Sequence, residues 1–159
     1  TVVRKLWKEP QRECRYFALD ILEKYQKKAN INSIALYEYL ITNDSWWDTV
    51  DTIATKPVGT YFKLFPKQIA KITPVWMDSG NIWLQRTCLL FQLKYKKDTD
   101  TALLSEFISR LNGSKEFFIN KAIGWVLREY SKTNPEWVRD FIATNTLSPL
   151  SVREGSKYI

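Results

Sequence analysis

The sequence predicts an all-α protein, an α-solenoid in which helical hairpins stack along the chain. Apolar residues recur at spacings of three and four over most of its length, which is the period of amphipathic helices. Residues that begin and end helices alternate with these apolar runs at regular distances. The segment NIWLQRTCLLFQLKYKK also aligns with EFFINKAIGWVLREYSK at an offset of 35 residues, which indicates one helical pair per repeat.

The first helix is predicted to run from about residue 10 to residue 28. Pro10 suits a first helical turn, and Phe17, Ile21 and Tyr25 mark one face by their spacing of four. A second helix is predicted over residues 33–41.

The later helices are predicted from residues that favour helix starts. These are Ser45 for residues 46–53, Ser79 for residues 81–95, Asp100 and Ser114 for two more, Pro135 for the next, and a capping box at residues 151–154 for the last. Pro57, Pro66 and Pro74 leave the stretch between them without a defined prediction.

Length and composition indicate one folded domain over residues 1–159. With 45% hydrophobic and 14% aromatic residues, the chain is unlike a disordered segment. Its apolar runs fall short of the roughly 18 residues that a membrane span needs, so we expect a cytoplasmic protein without membrane contact. The single methionine is Met77, so we expect the chain to have been trimmed or processed before Thr1.

The chain contains no histidine, and its two cysteines, Cys14 and Cys88, lie far apart. Catalysis by Ser-His or Cys-His is therefore excluded. Neither a zinc site nor a disulfide framework is indicated, and we expect no metal or organic cofactor.

The formal net charge of +7, from 24 basic and 17 acidic residues, favours a polyanionic partner. Nucleic acid fits this charge best. A basic, solvated surface without a specific partner remains the alternative at this point.

Two pairs of residues stand out in the stretch NDSWWDTVD. Trp47 and Asp51 are four apart and share a helix face, whereas Trp46 and Val50 form a neighbouring pair that we expect in the core. Taken alone, a tryptophan such as Trp47 is more often a core or interface residue, and an aspartate such as Asp51 is more often an ordinary solvated helix charge.

Two further pairs lie later in the chain. Arg86 and Lys94 are eight apart on one predicted helix face, and Trp125 and Arg128 are three apart. Gly124 lowers helix stability by about 1 kcal/mol relative to alanine, so we expect close packing or the close approach of a partner there.

Five segments in order resemble the bacterial DNA alkylation repair glycosylases built from HEAT-like repeats, the AlkD family. They are SWWDTVD, NIWLQR, LLFQLKYK, SKEFFINKAIGWVLREYSKTNP and LSPLSVRE, and the resemblance covers essentially the whole chain. The resemblance implies HEAT-like antiparallel repeats with a concave basic face, and one to two N-terminal repeats that are absent here.

The resemblance also implies the site. On the family's pattern, Asp51 is the catalytic aspartate between Trp47 and Trp125, and Arg86, Lys94 and Arg128 contact the DNA backbone. All six are present in this sequence.

The implied activity is removal of cationic N3-alkyladenine or N7-alkylguanine from double-stranded DNA by a monomer, leaving an abasic site. Such bases already carry a positive charge and leave without a proton from a general acid. A chain without histidine can therefore catalyse their removal. A fixed carboxylate would stabilise the positive charge that develops on the deoxyribose. The alternatives are a non-catalytic DNA-binding protein and a helical-repeat scaffold that binds an acidic protein.

Overall fold

The computed structural model describes residues 1–159, and all of its regular elements are helical. This confirms the predicted all-α class. The chain forms two compact units, residues 1–87 and residues 88–159. The expectation of a single domain stays a prediction.

Seven helices begin in the first unit. They are α1 (Val2–Lys8), α2 (Arg12–Tyr25), α3 (Ser33–Thr42), α4 (Trp47–Ile53), α5 (Gly59–Leu64), α6 (Ile69–Asp78) and α7 (Ile82–Leu90). Short 3₁₀ turns at Gln26–Lys28 and Pro66–Gln68 and a π-helical turn at Ala54–Val58 complete this unit. The helices bury Trp7, Leu40, Ile53, Tyr61 and Trp76, which form its core.

The second unit contains four further helices. They are α8 (Thr101–Leu111), α9 (Phe117–Ser131), α10 (Pro135–Thr144) and α11 (Pro149–Gly155), preceded by a 3₁₀ turn at Lys96–Asp98. Its core includes Leu104, Ile108, Ile123, Leu127 and Val138, which are buried on α8, α9 and α10. None of the helices in the protein combines the length and hydrophobicity that crossing a bilayer requires.

Hydrogen bonds between side chains and residues about one repeat away support the predicted period. In the first unit, Trp7 Nε1 donates to the Asn43 carbonyl at 2.8 Å, 36 residues away. In the second unit, Asn112 Nδ2 donates to the Thr146 carbonyl at 2.7 Å, 34 residues away. Each separation is close to the offset of 35 seen in the sequence, as stacking of equivalent elements requires.

The N-terminal region contains two helices where one was predicted. Pro10 lies between α1 and α2 rather than in a first helical turn. Phe17 and Tyr25 are exposed, while Leu19 and Leu22 are buried. The spacing of four therefore identified one helix face, but Phe17 and Tyr25 at its ends are exposed and Ile21 between them is only half-buried, because α2 packs mainly through neighbouring residues.

Two of the predicted helix starts are confirmed. Asp100 caps α8, its Oδ1 accepting a hydrogen bond from the Leu103 amide at 3.0 Å. Pro135 is the first residue of α10, and Asn134 before it caps the helix through the Trp137 amide at 3.1 Å.

The predicted caps Ser79, Ser114 and Ser151 are wrong, because neighbouring residues cap the helices instead. Asn81 Oδ1 accepts from the first amides of α7, and Ser148 Oγ accepts from the Ser151 amide at the start of α11. The N-cap position of α9 is Glu116, and Ser114 lies two residues before it, where its hydroxyl accepts from the Glu116 amide. Serine favours a cap within a few residues but does not fix which of them is the cap.

The proline-containing stretch is helical nearly throughout. Pro57 lies in the π-helical turn that joins α4 to α5, and Pro74 lies inside α6. A proline lacks the amide that an α-helix needs and its ring crowds the carbonyl four residues earlier, which the wider π-helical turn at Pro57 accommodates. This turn begins three residues after Asp51, a position at which such irregularities often accompany functional sites.

Candidate functional site

Trp46 lies just outside α4 and is not a core residue. It is the N-cap in an extended conformation (φ −149°, ψ 162°), it is 47% exposed, and its ring packs 6.0 Å from that of Trp83. Val50 is fully buried. The prediction that Trp46 and Val50 form a core pair was wrong for Trp46, because the helix starts one residue later than predicted and the hydroxyl of Ser45 instead donates to the Ile41 carbonyl.

Trp47 and Asp51 share a face of α4 but differ in exposure. Trp47 is the first residue of the helix and is 47% exposed, whereas Asp51, one turn later, is 8% exposed. Neither ordinary interpretation fits, because Trp47 does not fill the core and Asp51 is not a solvated charge.

A buried arginine holds the Asp51 carboxylate from α7. Arg86 Nε donates to Asp51 Oδ1 at 2.7 Å, and Arg86 Nη2 donates to Asp51 Oδ2 at 2.9 Å. Arg86 itself is only 3% exposed. The two parallel bonds fix both the position and the rotation of the carboxylate.

The protonation of Asp51 reflects two opposing effects. Burial raises the pKa of Asp51 above the usual value of 3.8, while the hydrogen bonds and charge of Arg86 act to lower it. Both carboxylate oxygens accept guanidinium N–H bonds, and this geometry requires the anion. The site therefore presents a fixed negative charge next to an exposed indole.

A second aspartate on α4 has a different environment. Asp48 Oδ2 accepts from Arg12 Nη2 at 2.6 Å and from the Tyr16 hydroxyl at 2.8 Å, and these groups lie near the surface. Burial would raise the pKa of Asp48, but the bonds from Arg12, Tyr16 and the Thr49 amide lower it overall. Asp48 is thus an anion already paired near the surface, and of the two aspartates on α4 only Asp51 is buried.

Arg86 and Lys94, two of the predicted DNA contacts, do not share a helix face as predicted. Helix α7 ends at Leu90, so Lys94 lies in the following turn rather than on a helix face shared with Arg86. Lys94 is exposed, and Arg86 is buried against Asp51. This geometry favours a role for Arg86 in holding Asp51, and its contact with DNA stays a prediction.

Trp125 and Arg128 lie on α9 in the second unit, and both are partly exposed. Gly124 beside them is buried where α11 crosses α9. A Cβ atom at this position would lie 2.6 Å from Glu154 Cβ and 3.2 Å from the Ser151 carbonyl oxygen. Close packing of two helices therefore explains the glycine.

Glu154 serves as an ion-pair partner on α11 rather than as part of a capping box. Its carboxylate is 2.9 Å from Lys121 Nζ, 3.2 Å from Arg128 Nη1 and 3.0 Å from Lys157 Nζ. Hydrogen bonds from Lys121 and Lys157 lower the pKa of Glu154 to about 2. This carboxylate is therefore an anion at neutral pH.

Comparison with known proteins assigns the chain to a family. The family model described as DNA alkylation repair enzyme matches residues 1–159. The chain belongs to this family. A solved structure described as "Predicted DNA alkylation repair enzyme from Enterococcus faecalis" is similar, with 34% sequence identity and a TM-score of 0.91 over 99% of this chain and 73% of that one. A comparison with curated proteins gave no match.

Membership of the DNA alkylation repair enzyme family supports an enzymatic role in DNA repair, with DNA as the partner. No group of three or more His, Cys, Asp or Glu side chains is placed to hold a metal ion. The assignment agrees with the resemblance carried by the sequence segments around Trp47 and Trp125.

Sequence reasoning missed two features of the site. The first is the Asp51–Arg86 pair, whose members are 35 residues apart, the same distance as the repeat offset. An acidic residue that lies one repeat before a basic residue was the signal that could have revealed this pair. Glu154 was read only as a local capping residue. Lys121, which pairs with Glu154, aligns with Arg86 at the offset of 35 residues. This alignment indicates a second basic position at Lys121, but it does not show that Glu154 is the residue it pairs with.

Proposed function

We propose that this protein is a DNA glycosylase that removes cationic N3-alkyladenine and N7-alkylguanine from duplex DNA. The observation that carries the proposal is the buried Asp51 carboxylate, held by two bonds from Arg86, one helical turn from the exposed ring of Trp47. Family membership makes DNA damage the context in which this arrangement acts.

The proposed reaction breaks the bond between C1′ of the deoxyribose and the alkylated purine. The bonding electrons go to the purine nitrogen, so the cationic base leaves as a neutral molecule and needs no proton from the enzyme. Positive charge develops on the sugar at the same time. Water then forms the new bond to C1′ and releases a proton to solvent, which leaves an abasic site.

Asp51 would stabilise the sugar cation as it forms. A fixed anion placed where positive charge develops lowers the barrier, and it acts most strongly where bulk water is excluded. The Asp51 carboxylate is mostly removed from solvent, and Arg86 fixes its orientation before the substrate binds. The positive charge of Arg86 partly offsets the negative charge of Asp51. The same charge and hydrogen bonds act to lower the pKa of Asp51, which favours the ionised form of this buried carboxylate.

The tryptophans and exposed cations would hold the damaged DNA. Indole faces carry negative electron density, so a partly exposed ring such as that of Trp47 in the first unit, or that of Trp125 in the second, can contact a cationic base or sugar. Lys94 is exposed and Arg128 is partly exposed, and both cations suit contacts with backbone phosphates.

A non-catalytic DNA-binding protein is the second candidate. The Asp51–Arg86 pair also favours it, because a purely structural ion pair between two helices would show the same bidentate geometry. The two candidates differ in one property, since only the glycosylase would release free bases.

The test is incubation of the protein with methylated duplex DNA, followed by chromatographic measurement of released N7-methylguanine and N3-methyladenine. We expect release of both bases above the spontaneous rate, with an equal yield of abasic sites. Unmethylated duplex should release nothing. Binding of methylated DNA without release above background would reject the glycosylase and leave the non-catalytic candidate.

A further inference from the structure

Three basic side chains of the second unit meet on one buried carboxylate. Lys121 and Arg128 reach Glu154 from α9, and Lys157 reaches it from the turn that follows α11. The Glu154 side chain is 8% exposed, whereas the side chains of Lys121 and Lys157 are 39% and 46% exposed. We call Lys121, Arg128, Lys157 and Glu154 the Glu154 cluster.

The position of the Glu154 cluster depends on the crossing of α9 and α11. Gly124 carries no side chain, and this lets Glu154 lie directly against α9. Lys121, Trp125 and Arg128 are spaced i, i+4 and i+7, so they form one stripe along that helix. Glu154 therefore anchors two cations that flank the partly exposed ring of Trp125 along α9.

The balance of charge in the cluster leaves it strongly basic. One carboxylate opposes three cations, so the cluster has a net charge of +2. The lysine ends of these pairs are in contact with solvent, which weakens each pair, and three cations around one anion repel one another. A structural salt bridge would need only one cation, so the arrangement indicates an anionic ligand that completes the charge balance.

We propose that the Glu154 cluster binds a DNA backbone phosphate, with Lys121 and Lys157 as new phosphate contacts beside Arg128 and with Glu154 as their positioning residue. This proposal depends on DNA binding as part of the proposed function, but it does not depend on base removal. A phosphate oxygen accepts hydrogen bonds from lysine ammonium and arginine guanidinium groups, and both have further N–H donors beyond those that bond to Glu154.

Glu154 would act by holding flexible side chains in place before DNA arrives. Fixing a long side chain on binding weakens association by about two- to tenfold, and prior anchoring removes this loss. The positioning role predicts an effect opposite to that of simple charge. Glu154→Gln raises the net charge by one and should tighten DNA binding if charge alone matters, but it should weaken binding if Glu154 positions the cations.

The experiment measures binding of an unmodified DNA duplex over a range of salt concentrations. Lys121→Gln and Lys157→Gln should each make the plot of log affinity against log salt shallower by about 0.9, the value for one lost phosphate contact. The control is Lys115→Gln, which removes the same charge from an exposed lysine of the same unit outside the cluster. We expect this control to leave the slope nearly unchanged.

Glu154→Gln should weaken binding about two- to tenfold at physiological salt and also make the slope shallower. Thermal melts of each variant separate loss of binding from loss of folding, and the two exposed lysine variants test the contacts if Glu154→Gln is unstable. Tighter binding by folded Glu154→Gln, or equal slopes for Lys121→Gln, Lys157→Gln and Lys115→Gln, would overturn the proposal. Absence of any salt-dependent binding by the unaltered protein would instead reject the proposed function.

Discussion

Replacement of Arg86 by methionine tests the buried ion pair most sharply. The variant keeps a long side chain but removes both N–H donors, which lie 2.7 Å and 2.9 Å from the Asp51 carboxylate oxygens. Removing one partner from a buried pair costs about 3–5 kcal/mol, because the other charge stays buried without compensation. For a protein of this size that loss lowers the melting temperature by roughly 6–20 °C.

The assay is thermal unfolding followed by circular dichroism, with a matched control and a double variant. The control Arg12→Met breaks the 2.6 Å pair between Arg12 on α2 and Asp48 on α4. Because this pair lies near the surface, a much smaller loss is expected. The double variant Arg86→Met/Asp51→Asn no longer buries an uncompensated charge. It should therefore be more stable than Arg86→Met alone.

Two results would refute this reasoning. Equal losses of stability for Arg86→Met and Arg12→Met would mean that burial of the pair is energetically unimportant. The second result is additivity, in which the double variant loses as much stability as Arg86→Met and Asp51→Asn lose separately and added together. This would mean that the two charges do not interact. Either result would remove the basis for treating Arg86 as the group that holds Asp51.

Three further outcomes are expected. Trp47→Ala should leave the melting temperature nearly unchanged and slow base release, whereas Trp76→Ala, which empties a site that is 1% exposed, should cost about 3–5 kcal/mol of stability. Gly124→Ala should lower the melting temperature although alanine favours helices by about 1 kcal/mol, because its Cβ would overlap Glu154 Cβ at 2.6 Å. Burial raises the pKa of Asp51 above 3.8, and enzymatic base release should fall as the pH drops through that pKa, because protonation removes the anion. Rates of release are measured from about pH 4 to 8 and corrected for spontaneous base loss. The unaltered protein should show this loss of rate at acid pH, and Asp51→Asn should not.

The sequence predicted the helical fold because its signals are local. Apolar spacing identified most helices, and the starts at Asp100 and Pro135 agree with the structure. Errors arose where several nearby residues could serve the same local role. Ser79 and Asn81 both favour a helix start, and only the packed structure shows that Asn81 caps α7.

The environment of each candidate site residue depends on contacts that are distant in sequence. The spacing of Trp47 and Asp51 predicted a shared face, but it could not show that one is exposed and the other buried. The partner of the buried Asp51 is Arg86 on α7, 35 residues later in the sequence. A one-residue shift in the start of α4 likewise moved Trp46 out of the helix and out of the predicted core.

The most direct test of the glycosylase proposal is single-turnover release of N7-methylguanine by the unaltered protein and by Asp51→Asn. Both proteins are held at saturating concentration and at a temperature where melts show them folded, because the variant leaves Arg86 facing a neutral partner. Loss of a preorganised transition-state interaction costs about 2.7–4 kcal/mol, so we expect release to slow by about a hundredfold or more while DNA affinity is retained. Equal rates for the two folded, DNA-bound proteins would contradict the proposal that the Asp51 anion carries the chemistry.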